Sequence, residues 1–286
     1  YKTFNIFLIN IVWFAIVVRY LAYMNKKFKN VITQCSNNGI SRIILNEPDT
    51  YNALSFNTIK SLIKSFKNLN NDNKTKVIII EGRGNGFSAG HNLKEIQGLK
   101  KKRKNYIKLF NLCSKLMLEI VEGKKPVIAK VHGAAYAAGC QLVASCDLAI
   151  SSNDAKFATP GVNIGLFCST PMVAVSRKVS RKKTMKMLLT GEPIKADYAK
   201  EIGLINEYYP TSRLETEVLK LAKKIASKSN LTIKIGKKGF YKQLEMPLKK
   251  AYSYTSKIMT KNMMTYDATE GISAFVEKRN PKWKNK

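Results

Sequence analysis

The chain has 286 residues, 45% of them hydrophobic, enough for one large domain or two small ones with a buried core, which excludes a disordered chain. Its formal net charge of +31, from 50 Lys+Arg against 19 Asp+Glu, is spread over presumed solvent faces (Lys60, Lys64, Lys67; Lys182, Lys183, Lys186). Compositional drift therefore explains the charge better than a nucleic-acid partner. Two histidines exclude a His-rich metal site, and the five cysteines (Cys35, Cys113, Cys140, Cys146, Cys168) fit neither a CxxC metal pattern nor a disulfide framework, which points to a reducing compartment.

Residues 4–23 (FNIFLINIVWFAIVVRYLAY) are apolar apart from Asn5, Asn10 and Arg19, and short for a membrane span. Three readings compete: a signal or anchor segment, an organellar presequence, or sequence upstream of a start at Met24. No acidic residue precedes Glu47, and Lys26, Lys27 and Lys29 follow the apolar run, as in targeting peptides. Residues 1–30 are read as an apolar and basic targeting or anchor segment for the mitochondrion or another organelle, with any membrane contact confined to 4–23. The core is assigned to 31–210 and a helical C-terminal region to 211–286.

From residue 40 the pattern alternates strand and helix. Residues 40–46 predict a strand, and Ser55 an N-cap for a helix with Ile59, Leu62, Ile63, Phe66 and Leu69 at helical spacing. Residues 77–80 (VIII) predict a fully buried strand, 105–122 an amphipathic helix, 126–131 a buried strand, 138–145 a short helix and 147–151 a strand. Short apolar strands joined by crossover helices imply a mainly parallel sheet. Beyond residue 155 helices dominate: 171–179, 182–189, 195–201, 211–229, 231–244, 247–263 and 265–278, with a last strand at 204–209. Met259, Met263 and Met264 would expose apolar surface unless the tail docks on a neighbouring subunit.

Residues 81–86 (EGRGNG) fail as a dinucleotide fingerprint: the third glycine comes too early, and the place for a ribose-binding acid falls in the basic block 100–104 (KKKRK). That block reads as a solvated loop with scope for phosphate attraction. Residues 84–94 and 131–147 carry more chemistry. Gly90 and Gly139 leave a backbone N–H free to approach a reacting carbonyl, and residues 134–139 lead into a helix whose first amides are unpaired. A thioester oxygen fits between the two segments.

With these segments, residues 52–55 (NALS), 87–94 (FSAGHNLK), 125–129 (KPVIA), 139–147 (GCQLVASCD), 157–160 (FATP), 189–191 (LTG) and 274–279 (AFVEKR) form an ordered series. On it the chain resembles the crotonase, or enoyl-CoA hydratase/isomerase, superfamily from about residue 40 to the end. The resemblance implies an α/β crotonase (ClpP/crotonase-like) fold, with a twisted, mainly parallel sheet core and a helical C-terminal region that trimerises. It implies an oxyanion hole made by the backbone N–H groups of His91 and Ala138, the latter at the positive end of a helix dipole. Only the His91 amide is implied; its imidazole is expected to point elsewhere. Coenzyme A would lie against Ala89, His91, Asn92, Leu93 and Lys94, with Lys278 reaching it from an adjacent subunit. The partners implied are an acyl-CoA, as substrate or ligand, and further copies of the chain in a homotrimer or dimer of trimers, with no permanently bound cofactor and no metal.

Departures from the family pattern matter most. The positions matching the two glutamates of a hydratase are Gln141 and Gly161. Each positioned acid–base group typically supplies about 10²–10⁴-fold, so ordinary hydration is expected to fall by several orders of magnitude. In the loop 165–170, Cys168 and Ser169 are candidates to face the acyl group, although a cysteine without a His–Asp partner is more often a small hydrophobe. Asp147 reads as structural and Asp154 as a carboxylate without an assigned place. The function implied is acyl-CoA chemistry of the hydratase/isomerase type in fatty acid metabolism. The alternatives are a non-catalytic acyl-CoA binder or regulator, and an RNA-binding relative favoured only by charge.

Overall fold

Short β-branched runs and amphipathic helices alternate through the chain, which a computed structural model describes over residues 30–286. The apolar run 4–23, and the targeting segment 1–30 apart from Asn30, lie outside the described residues. Strands β1 (Val31–Gln34) and β2 (Ile40–Leu45) pair antiparallel. Ser55 then caps α1 (Phe56–Asn71), its hydroxyl accepting the Thr58 N–H at 3.1 Å. Ile59, Leu62, Ile63, Phe66 and Leu69 are all buried on that helix, as their spacing requires. Next come β3 (Val77–Gly82), β4 (Gly86–Ser88), α2 (Leu93–Gly98) and α3 (Arg103–Val121). After them follow β5 (Val127–Val131), β6 (Ala134–Tyr136), α4 (Ala138–Ser145), β7 (Leu148–Ser152) and β8 (Lys156–Ala158). The remainder holds α5 (Ser169–Val175), α6 (Arg181–Thr190), β9 (Ile194–Lys195), α7 (Ala196–Glu201) and β10 (Glu207–Tyr209). It closes with α8 (Thr211–Ala226), α9 (Asn230–Gln243), α10 (Leu248–Met263) and α11 (Tyr266–Val276).

Two sheets form, one ordered β1-β2-β3-β5-β7-β10 and one ordered β4-β6-β8-β9. Every pairing is parallel except β1 with β2 and β8 with β9, so the mainly parallel α/β architecture holds. Three times the chain leaves a strand of the first sheet and enters one of the second: β3 to β4, β5 to β6 and β7 to β8. The second sheet is absent from the sequence reading because Gly86–Ser88 and Ala134–Tyr136 are too short and too small-residued to show alternation.

Strand β3 shows how the core is divided. Ile78 and Ile80 enter the main core with α1, α3 and α4, whereas Val77 and Ile79 point to the opposite face, against Leu214, Val218 and Ala222 of α8. Full burial of each such side chain contributes roughly 1.5–3 kcal/mol. On the α8 side, Glu81 lies opposite Lys130 in the β3–β5 register and pairs with Arg42 at 2.8 Å and Lys130 at 2.6 Å. Glu215 of α8 bonds the same two cations, closing a four-residue network across the sheet.

A second polar tie joins the C-terminal helices to the core. Asp147, before β7, accepts from the Val127 N–H at 2.7 Å, Lys237 Nζ at 2.7 Å and the Tyr241 hydroxyl at 2.9 Å. Lys237 also donates to the Ile120 and Lys125 carbonyls, both at 2.8 Å. The carboxylate therefore organises the docking of α9. Helices α9 to α11 leave Leu248, Tyr252, Met259, Met264, Phe275 and Val276 exposed. Among the described residues no helix is long and apolar enough to cross a membrane. Removing one partner of a buried ion pair leaves the other charge uncompensated. Lys237→Met is therefore expected to lower stability by about 3 kcal/mol in urea denaturation; an unchanged midpoint would show that this tie does not hold the helix.

Candidate active site

The second sheet brings the chemistry-bearing segments together. Parallel registers set Ser88 beside Ala135, and Ala135 and Tyr136 beside Phe157 and Ala158. The stretches that follow these strands, from Ala89, Ala137 and Thr159, consequently leave one edge of the sheet side by side. Gly90 has φ +90, and a Cβ placed there would lie 2.9 Å from both the Ala137 Cβ and the Tyr136 oxygen and 3.0 Å from the Ala138 nitrogen. A Cβ on Gly139 would overlap the Ser88 carbonyl. The two glycine-centred segments thus interlock, backbone against backbone.

A clamp from the 51–54 loop holds the first segment. Leu54 N–H donates to the Gly90 carbonyl at 2.7 Å, Ala89 N–H to Tyr51 at 2.9 Å, and the Ser88 hydroxyl to Asn52 at 2.9 Å. Asn52, fully buried, donates in turn to the Arg83 and Gly86 carbonyls at 2.9 and 2.8 Å. In the second segment Ala137 adopts φ 48 and ψ −116, a conformation costly for a residue with a Cβ, and its N–H bonds the Ala158 carbonyl at 2.9 Å. That strained residue sets the direction of the next amide. Among the described residues neither the His91 N–H nor the Ala138 N–H has a hydrogen-bond acceptor. Ala138 opens α4, buried on every side, so the positive end of that helix is poorly screened there.

Gln141 is buried one turn into α4, its amide oxygen 3.9 Å from the Cys113 sulfur on α3. Gly161 lies in a short 3₁₀ turn, Pro160–Ile164, and accepts the Leu166 N–H at 2.9 Å. A Cβ on Gly161 would overlap the Leu166 carbonyl and lie 2.9 Å from the Cys168 sulfur, so the loop folds back onto this position. Cys168 is buried at the start of α5, and burial pushes its thiol up, partly offset by a hydrogen bond from Gly161. Burial raises Cys113 to about 12 and, with neighbouring Cys168 adding to it, Cys140 to about 12. Ser169 is exposed and donates to Phe167 at 3.3 Å.

The His91 ring packs beside its own amide. Nδ1 lies 3.4 Å from the Leu54 carbonyl, the ring meets Phe110 of α3 edge-on at 5.8 Å, and Nε2 is enclosed without a partner. Burial lowers its pKa below the ordinary histidine value, the Leu54 carbonyl opposing this, so the ring is neutral at pH 7. Thr159, fully buried two residues before Gly161, also carries a hydroxyl without a partner. Ala89, Leu93 and Lys94 are exposed on the adjoining rim, and half-buried Asn92 caps α2 through the Glu95 N–H at 3.1 Å. Lys278 follows α11 in the left-handed region with φ 54, exposed, its side chain joined to that rim by no hydrogen bond or ion pair. Asp154, before β8, bonds Thr211 at 3.1 Å, at the opposite end of that strand from Gly161. Sequence reasoning includes residues 52–55, 134–139 and 157–160 as segments but gives Asn52, Leu54, Ala137 and Thr159 no individual role. Phe110 and Cys113 do carry a local signature, spaced three apart on one helix face.

Comparisons with known proteins give the family and the fold. The family model described as enoyl-CoA hydratase/isomerase matches residues 35–286. The mitochondrial enoyl-CoA hydratase domain-containing protein 3 of Xenopus laevis is 48% identical over 246 residues, covering 86% of this chain and 83% of that protein. The human protein of the same name is also 48% identical, covering 86% and 80%. Among solved structures, human enoyl-CoA hydratase domain-containing protein 3 superposes with a TM-score of 0.86 at 45% identity, covering 89% of this chain and all of that one. An enoyl-CoA hydratase of Mycobacterium smegmatis reaches 0.87 at 43%, covering 89% and 99%.

Two outcomes follow from the packing. Ala137→Gly should stabilise the fold by about 1 kcal/mol, the relief of strain exceeding the entropic cost of glycine, whereas Gly90→Ala should destabilise it by a similar or larger amount; chemical denaturation of both variants checks this. Cys35 is exposed while Cys113, Cys140, Cys146 and Cys168 are buried. A thiol reagent at pH 8 should therefore titrate one thiol rapidly in the native protein and the rest only on unfolding.

Proposed function

This chain belongs to the enoyl-CoA hydratase/isomerase family, and on that premise we propose that it binds acyl-CoA thioesters and stabilises the enolate form of the acyl group. The observation that supports this reading is the close approach of Gly90 to Ala137 and Ala138 where β4 and β6 end side by side, next to two amides, His91 N–H and Ala138 N–H, that have no acceptor among the described residues. Each such donor contributes roughly 3–4 kcal/mol to a transition state with charge on oxygen. Ala89, His91, Asn92, Leu93 and Lys94 form the rim for the coenzyme, and Lys278 of a neighbouring copy completes it. The apolar residues left exposed on α10 and α11 support self-association into a trimer or dimer of trimers. The names of the relatives support a mitochondrial protein; on the acyl-CoA reading it serves fatty acid metabolism, with residues 1–30 as the targeting segment, 31–210 as the core and 211–286 as the assembling region.

Ordinary hydration is not the reaction. Gln141 can orient a water molecule but cannot take its proton, and Gly161 offers no side chain and no space for one. Cys168 serves as packing against Gly161 rather than as a nucleophile, since its thiol is held protonated. A non-catalytic acyl-CoA binder is the second reading, favoured by the way the 165–168 loop closes on Gly161.

Calorimetric titration with hexanoyl-CoA should show binding that Ala138→Pro, lacking that N–H, weakens at least tenfold while its melting temperature stays close to that of the parent. Wild-type affinity in the variant would remove the amide from the site. Crotonyl-CoA hydration should sit at the detection floor and remain there in Gly161→Glu. Turnover comparable to that of a two-glutamate hydratase would contradict this account of Gln141 and Gly161.

A further inference from the structure

Proton transfer at a thioester α-carbon needs a base close to the bound carbonyl, and no carboxylate has been found at the two positions where the family resemblance places one. The His91 ring has the required properties. Its Nδ1 faces the Leu54 carbonyl, an acceptor, so Nδ1 carries the proton and the lone pair lies on Nε2. Nε2 is enclosed and has no partner, although buried polar atoms are otherwise paired almost throughout proteins. The ring is also placed against the right helix. His91 meets Phe110, and Gln141 meets Cys113. Those two α3 residues are three positions apart, so the imidazole and Gln141 each meet α3 within one turn of the other's contact.

Resting on the acyl-CoA reading above, we propose that the His91 imidazole is the proton-transfer group of this site, taking and returning the α-proton of a thioester whose oxygen the His91 and Ala138 amides hold. One residue then supplies both an oxyanion donor through its backbone and a base through its side chain. In the forward step the Cα–H bond breaks and its proton forms an N–H bond at Nε2. The C–H electron pair moves into the bond between Cα and the carbonyl carbon, and the carbonyl pair moves onto oxygen. The reverse step returns a proton to carbon, so no oxidant, reductant or co-substrate enters. Acyl-CoA thioesters with an acidic α-carbon, above all 3-enoyl-CoAs, are the substrate class this suits. Phe110 and the Leu54 carbonyl are positioning groups that fix the ring and its tautomer.

The groups facing the ring make its titration simple. Phe110, which meets the ring edge-on, and the Leu54 carbonyl are neutral, Cys113 one turn further along α3 is a thiol that burial keeps protonated, and among the described residues no ion pair involves His91. Burial alone disfavours the imidazolium, so the base form persists below the ordinary histidine range.

Deuterium incorporation at the α-carbon of 3-hexenoyl-CoA, followed by proton NMR in D₂O with the full chain, tests this. The wild type should exchange at a rate that is flat through neutral pH and falls as acid protonates the imidazole below about pH 6.5. His91→Gln keeps the backbone amide and should lose on the order of 100-fold in exchange, with hexanoyl-CoA affinity within threefold of wild type. His91→Ala should regain part of the rate when free imidazole is added. Exchange at the wild-type rate in His91→Gln, or binding without exchange in the wild type, would each overturn the proposal. Failure of the wild type to bind hexanoyl-CoA would instead overturn the acyl-CoA reading on which it rests. Because wild-type exchange needs no substitution, a variant that fails to fold leaves the test intact.

Discussion

Close approach of two backbone segments, Gly90 against Ala137 and Ala138, is the constraint on which the site depends. It requires a glycine at position 90, where φ is +90 and a Cβ has no space, and a second at 139, where a Cβ would overlap the Ser88 carbonyl. It also requires that Ala137 accept φ 48 so that the following amide turns toward its neighbour across the sheet. Parallel pairing of β4 with β6 provides the approach, and hydrogen bonds from the 51–54 loop keep it from opening. Strain held at Ala137 is affordable because the helix it introduces is buried on every side.

Charge is distributed in a way that separates this site from the rest of the molecule. Carboxylates that the fold takes out of solvent are committed elsewhere: Glu81 to Arg42 and Lys130 beneath α8, Asp147 to Lys237 and Tyr241 beneath α9, and Asp267 to the Ser229 hydroxyl and the Lys284 and Asn285 N–H groups. Next to the two amides along the chain stand instead a neutral imidazole, His91, a buried amide side chain, Gln141, and a protonated thiol, Cys140. On the proposed reading, an oxyanion held there gains its stabilisation from oriented N–H groups, which need no reorganisation when charge develops.

Much of this was legible in the residues. Helical spacing at Ile59, Leu62, Ile63, Phe66 and Leu69, the buried run at 77–80 and the three C-terminal helices follow from periodicity, because packing and pattern agree there. The glycine-centred segments announced a close backbone approach, and the resemblance they carry gave the family. The second sheet escaped because three-residue strands of Gly, Ala and Ser have no pattern to detect, and the site hangs from that sheet. Ala137 escaped for a related reason: alanine gives no sign of the conformation its neighbours impose. The imidazole of His91 carries no signal in the sequence, since only three-dimensional packing reveals that its Nε2 is enclosed without a partner and that the ring meets Phe110.

The central claim is that two backbone amides grip a thioester oxygen. Infrared difference spectra of hexanoyl-CoA labelled with ¹³C at the thioester carbonyl report that grip directly, because hydrogen bonds to the oxygen weaken the C=O bond. The account predicts a shift of the labelled band to lower frequency on binding, largely lost in Ala138→Pro. A band at its free-solution frequency in the bound state, or one unchanged by Ala138→Pro, would contradict it.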